Sequence, residues 1–105
     1  MDDRALLRTA ADRLEALAAR TTAGDWRTGG LLATRPEVIA HRDSAGGGGS
    51  TEHVAEARSG TVAWISALSP ALAPPLADWL RAAAAAPTVD PAATAVARTL
   101  LERLP

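Results

Sequence analysis

The chain has no cysteine, no lysine, no phenylalanine and no tyrosine among its 105 residues, and a single methionine. Without cysteine, disulfides, thiolate catalysis and cysteine-ligated zinc or iron–sulfur centres are all excluded. Without lysine, so is the phosphate-binding Gly-Lys-Ser/Thr loop. Every basic residue is arginine, and with the abundant Ala, Gly and Pro this reads as the codon bias of a GC-rich genome. Net charge is −1, and the pI is near 6.1. That balance supplies no basic field for nucleic acid or for an anionic membrane. No apolar run approaches the ~20 residues that span a bilayer. The acidic start, Met1-Asp2-Asp3-Arg4, leads into an amphipathic pattern and not into a signal peptide. These features predict a cytoplasmic protein.

The scarcity of large side chains also bounds the core. Hydrophobic residues make up 48% of the chain, but many are alanine. An alanine buries little, whereas a buried Val, Leu, Ile, Phe or Met side chain contributes about 1.5–3 kcal/mol. The core is therefore expected to rest on Leu6, Leu7, Leu14, Leu17, Val38, Ile39, Val54, Trp64, Ile65, Leu68, Leu72, Leu76, Trp79, Leu80, Val96, Leu100 and Leu101. A thin core in a short chain favours burial of further apolar surface between subunits. A homodimer is expected, with Trp26, Leu31 and Leu32 or the last helix in the contact.

Asp2 or Asp3 caps a first helix, with Leu7, Ala10, Ala11, Leu14 and Leu17 on its inner face and Gly24 beyond its end. Asp25–Thr28, Leu31–Thr34 and Glu37–His41 read as three short strands, with Gly29-Gly30 and Arg35-Pro36 as turns. Residues 43–50 hold Gly46-Gly47-Gly48-Gly49-Ser50, a flexible loop by composition. The string matches a common synthetic linker, but the Ala- and Arg-rich style is the same on both sides and reads as native. A helix is expected from Ser50 or Thr51, carrying Val54, Ala57, Thr61, Trp64, Ile65 and Leu68 on one stripe, with Gly60 in its middle. Ser69-Pro70 makes a corner with a short turn to Ala73, and the helix restarts at Pro74 or Pro75 and runs to Ala86. Asp90-Pro91 opens the last helix. The order is α-β-β-β-α-α-α: an α+β fold with an N-terminal helix, a small three-stranded antiparallel meander and three C-terminal helices, in one small domain over residues 1–105.

Three groups of residues invite a chemical reading. Gly46–Ser50 before a helix resembles an anion cradle, since free N–H groups at a helix start attract anions. His41 and His53 flank that loop, with Glu52 and Glu56 near, and His53 and Glu56 have the spacing of two ligands on one helical face. The same histidines with Asp43 or Ser44 make a candidate acid–base pair, although no nucleophile motif accompanies them. Arg20, Arg27, Arg35 and Arg42 would form a basic patch if aligned, but Asp25, Glu37 and Asp43 are interleaved with them. Trp64 and Trp79 lie on apolar stripes and read as core; Trp26 is either a plug for the sheet or a partner anchor. No residue is assigned a catalytic, cofactor-binding or metal-binding role, and no cofactor is expected.

The segments Thr22-Ala23-Gly24-Asp25-Trp26-Arg27, Ala63-Trp64-Ile65-Ser66-Ala67-Leu68-Ser69-Pro70, Ala77-Asp78-Trp79-Leu80 and Ala97-Arg98-Thr99-Leu100-Leu101 occur in that order. In this the chain resembles a loose group of small uncharacterised proteins of actinobacteria and their phages. Many of those have Pro at the position of Asp25, and an acidic residue or Asn near Val62. The resemblance implies the same element order and a prophage or accessory-gene origin, and brings no activity and no site residues. The function expected is that of a small non-enzymatic interaction or accessory protein that self-associates and has an unidentified protein partner. Two alternatives remain open: a weak anion- or metal-binding enzyme around His41, His53 and Gly46–Ser50, and a nucleic-acid-associated regulator.

Overall fold

The computed structural model describes residues 1–30, 35–43 and 46–105. The element order is α1 (Asp3–Ala18), β1 (Asp25–Gly29), β2 (Glu37–Arg42), β3 (Ser50–Glu56), α2 (Ser59–Ala67), a 3-10 turn (Pro70–Leu72), α3 (Ala73–Ala85) and α4 (Pro91–Arg103). The α+β order of one helix, a three-stranded antiparallel sheet and further helices is thus present. The chain forms two compact units, residues 1–20 with 72–105, and residues 21–71.

The first unit is helical. Asp2 Oδ1 accepts from Ala5 N–H at 2.7 Å, which satisfies one of the unpaired donors at the start of α1. Asp90 Oδ1 does the same for Ala92 N–H at 2.9 Å, and Pro91 follows at the first position of α4, where its missing N–H costs nothing. Pro74 and Pro75 sit in the first turn of α3 for the same reason. Leu7, Ala10 and Ala11 of α1 meet Ala77, Leu80 and Ala84 of α3 and Ala93 and Ala97 of α4 in one buried cluster. α1 packs against both α3 and α4. Alanines form most of this buried cluster, and Leu7 and Leu80 are the large side chains wholly inside.

Polar contacts fix the same helices. Arg81 of α3 bonds Asp12 at 2.9 Å and also pairs with Glu15, both on α1. The hydrogen bonds to Asp12 and then Glu15 raise its pKa above the ordinary arginine value. The stability linked to that shift is fully present below the ordinary value and is lost only in strong alkali, so it is constant through the neutral range.

The second unit is a sheet with one helix. The strands run β1-β2-β3, all antiparallel. Trp26 lies opposite Ala40 and Thr28 opposite Val38. On β3, Ala55 pairs with Val38 but His53 with Ile39, so Val54 is the extra residue of a β-bulge. α2 packs on β1 and β2, and Val38, Ala40 and Val62 are buried. Gly24 has φ +116, and a Cβ there would lie 2.7 Å from His41 O, so glycine is required where the chain enters β1.

Two expectations are corrected, and one lies outside the described residues. The third strand of the sheet is Ser50–Glu56, a segment expected to be the first part of a helix; that helix starts only at Ser59. The strand expected at Leu31–Thr34 lies outside the described residues, as do Ser44 and Ala45 of the glycine loop. Trp64 and Trp79 are not core residues: they are 68% and 42% exposed. On α2 the buried side is set by Val62, and Trp64 stands two residues further on, about 200° around the helix from it.

Candidate functional site

His41 and His53 project from adjacent strands. His41 lies opposite Thr51, and His53 lies opposite Ile39, which puts both histidines on one face of the sheet as diagonal neighbours. His53 Nδ1 is 2.6 Å from Glu37 Oε2, on the same face, and the pair is exposed. Among the described residues no group of three His, Asp or Glu side chains is placed to hold a metal ion. The expected His53–Glu56 ligand pair does not sit on a helical face: it lies on a strand. The bulge at Val54 keeps Glu56, opposite Glu37, on the face of His53, but the imidazole is hydrogen-bonded to Glu37 and no third ligand joins them among the described residues.

The anion-cradle reading loses its helix as well. The glycines lead into β3, and no helix begins at Ser50 or Thr51. Gly47 and Gly48 take positive φ values of 74° and 151°, a region glycine enters without a steric penalty.

The arginines do not form a stripe. Arg27 bonds Asp25 at 2.7 Å, Arg42 bonds Glu52 at 3.2 Å and Arg35 lies 3.8 Å from Glu56. Each of the three carries a carboxylate, which cancels the field a phosphate backbone would need. An open hollow of about 410 Å³ is lined by Arg35, Pro36, Glu56, Ala57 and Arg58. A second, of about 300 Å³, is formed on α4 by Ala95, Val96, Thr99 and Leu100.

The feature that departs most from a settled protein surface is apolar. α2 reads Ser-Gly-Thr-Val-Ala-Trp-Ile-Ser-Ala and has no charged residue. A helix apolar on all sides is normally buried on all sides. Here Val62 is buried and Ile65 and Ser66 are half-buried, while Gly60, Thr61, Ala63, Trp64, Ala67 and Leu68 are exposed. Trp64 and Leu68, four residues apart, share the outer face at 68% and 49% exposure. Ser66 Oγ, on the inner side, is buried with no hydrogen-bond partner. Independently, α3 exposes Trp79, and Leu72 at its start is also exposed. The apolar periodicity of both helices was legible in the sequence; that these tryptophans stand on the outside was not.

No family model, no curated protein and no solved structure matches the chain. Among the described residues, no helix is long and apolar enough to cross a membrane.

Proposed function

We propose that this is a small, non-enzymatic accessory protein of the cytoplasm, of prophage or accessory-gene origin, that works through apolar contact and forms a homodimer. The observation that carries the reading is Trp64: the chain has three tryptophans, and this one stands 68% exposed on a helix without a charge. An indole left in water forgoes much of the burial that makes tryptophan a dominant residue in cores and interfaces. Exposed aromatic anchors flanked by other apolar residues are the usual centres of binding energy in protein contacts. Trp79 and Leu72 supply a second such surface on α3. The origin proposed rests on the resemblance and on the arginine-only, alanine-rich composition.

Tryptophan fluorescence tests the reading. As chain concentration rises from low micromolar to millimolar, emission is expected to shift to the blue and acrylamide quenching to fall, because indoles pass from water into an interface. Emission and quenching that stay constant over that range would remove the proposal's main support.

A further inference from the structure

We propose that His53 is a phosphoryl-acceptor site. Its Nε2 takes a phosphoryl group from a phosphoramidate donor, with Glu37 positioning the ring and Arg27 receiving the phosphoryl oxygens. This goes beyond the apolar-contact reading above and does not depend on it.

The three side chains share one face of the sheet. Side chains alternate along a strand, so Glu37, Ile39 and His41 lie on the face opposite to buried Val38 and Ala40. The register carries that face across the sheet: Arg27 of β1 and His53 of β3 both lie opposite Ile39. The two therefore occupy one row, with backbones about 9.6 Å apart at two strand spacings. That span is what an arginine, an imidazole and one tetrahedral group between them fill. Both side chains are open to solvent, Arg27 at 65% and His53 at 52% exposure.

Glu37 decides which ring nitrogen reacts. His53 Nδ1 is 2.6 Å from Glu37 Oε2. A carboxylate only accepts, so Nδ1 donates and keeps the ring's proton. The neutral ring then carries its lone pair on Nε2. A histidine held in this way by a carboxylate presents a fixed nucleophilic nitrogen. His41 shares the face, opposite Thr51, but among the described residues no carboxylate holds its ring.

The charges on the face favour transfer over simple binding. Arg27 bonds Asp25 Oδ2 through Nε at 2.7 Å, and its two terminal amino groups stay outside that bond. Those groups form the fork that recognises phosphoryl oxygens. Glu56, opposite Glu37, lies 3.8 Å from Arg35. The carboxylates Asp25, Glu37 and Glu56 outnumber the two arginines, so free phosphate is not retained and only a covalent bond holds the group.

In the step, the Nε2 lone pair forms an N–P bond as the donor's own P–N bond breaks. The electron pair of the broken bond leaves with the donor nitrogen, which departs from phosphoramidate as ammonia and already carries the protons it needs. Nδ1 keeps its proton, and Glu37 offsets the positive charge the ring acquires. Nothing is oxidised or reduced. A P–N donor suits a P–N product, because one such bond is exchanged for another.

Potassium phosphoramidate and the whole chain test this, with His41 as the reference within the same molecule. Mass mapping and phosphorus NMR are expected to show His53 phosphorylated at Nε2, about tenfold faster than His41. In urea the two histidines should react alike. Glu37→Ala should remove the preference and give both ring isomers. Glu37→Gln, whose amide oxygen can accept the same hydrogen bond, should keep the Nε2 isomer. Arg27→Ala should slow phosphorylation but leave unchanged the reaction of His53 with diethyl pyrocarbonate, an uncharged reagent for the same nitrogen. Equal rates at the two histidines of the folded chain, phosphorylation at Nδ1, or a Glu37→Ala chain that reacts as the wild type does would overturn the proposal. So would an Arg27→Ala loss equally large with diethyl pyrocarbonate, since the arginine would then act through the fold and not on the phosphoryl oxygens.

Discussion

Arg4 Nη1 donates to the carbonyl oxygen of Ala84 at 2.6 Å, joining the first turn of α1 to the last turn of α3 across 80 residues of sequence. The same guanidinium reaches Ala86 O at 2.7 Å and Pro87 O at 3.2 Å. The last carbonyls of a helix have no intrahelical partner and carry partial negative charge, so a cation seated on them both satisfies and complements them. Pro87 is what leaves these groups in need: the chain cannot continue as helix through it.

Removing that cap has a definite expected effect. Arg4→Ala should lower stability by about 1.5–3 kcal/mol, the range for hydrogen bonds to charged groups. Arg4→Lys should recover only part of it, because a single ammonium lacks the planar fork that serves several carbonyls at once. Urea denaturation of the three proteins measures this, and equal midpoints would show that the cap contributes nothing.

The core and the apolar surface should separate cleanly under mutation. Leu80 is fully buried, and Leu80→Ala should cost about 2–5 kcal/mol through lost burial and the cavity left behind. Trp64 is largely exposed, and Trp64→Ser should cost under ~1 kcal/mol in the isolated chain. Thermal melts at low concentration compare the two directly. A loss at Trp64→Ser as large as that at Leu80→Ala would place Trp64 in the core after all.

Ser66→Ala is expected to leave stability unchanged or raise it by up to ~1 kcal/mol. A buried hydroxyl without a partner has lost its water and gained nothing in exchange, so deleting the oxygen removes a penalty. Destabilisation in the same melts would mean that the hydroxyl makes a bond in solution.

The parts of the fold that the sequence announced are those with strong local chemistry. Asp90-Pro91, the prolines after Ser69 and the stripe Leu7, Ala10, Ala11 each specify a cap, a corner or a face by themselves. β3 was hidden for the opposite reason. Ser50–Glu56 carries only Val54 and Ala55 as apolar residues, and neighbouring Ala57, Thr61 and Trp64 continue from Val54 at helical spacing. Nothing local opposes a helix there, and pairing with β2 decides the outcome. Trp64 was misplaced because periodicity shows which residues share a face but not which face meets the body. On a nine-residue helix lying on a small sheet, Val62 suffices to fill the contact. The histidines follow from the same shift. With residue 53 on a strand, its neighbour is Glu37 across the sheet and not Glu56 along a helix.

Sedimentation equilibrium tests the central claim most directly, because it reads mass and makes no assumption about which residues touch. The apparent mass should rise from that of one chain, 10.8 kDa, toward twice that value as concentration increases. It should do so equally at low and high salt, since an uncharged apolar contact is not screened. Trp64→Ser should remain at one chain's mass under the same conditions. A wild-type mass fixed at one chain across the whole range, or a dimer that dissociates when salt is added, would contradict the account.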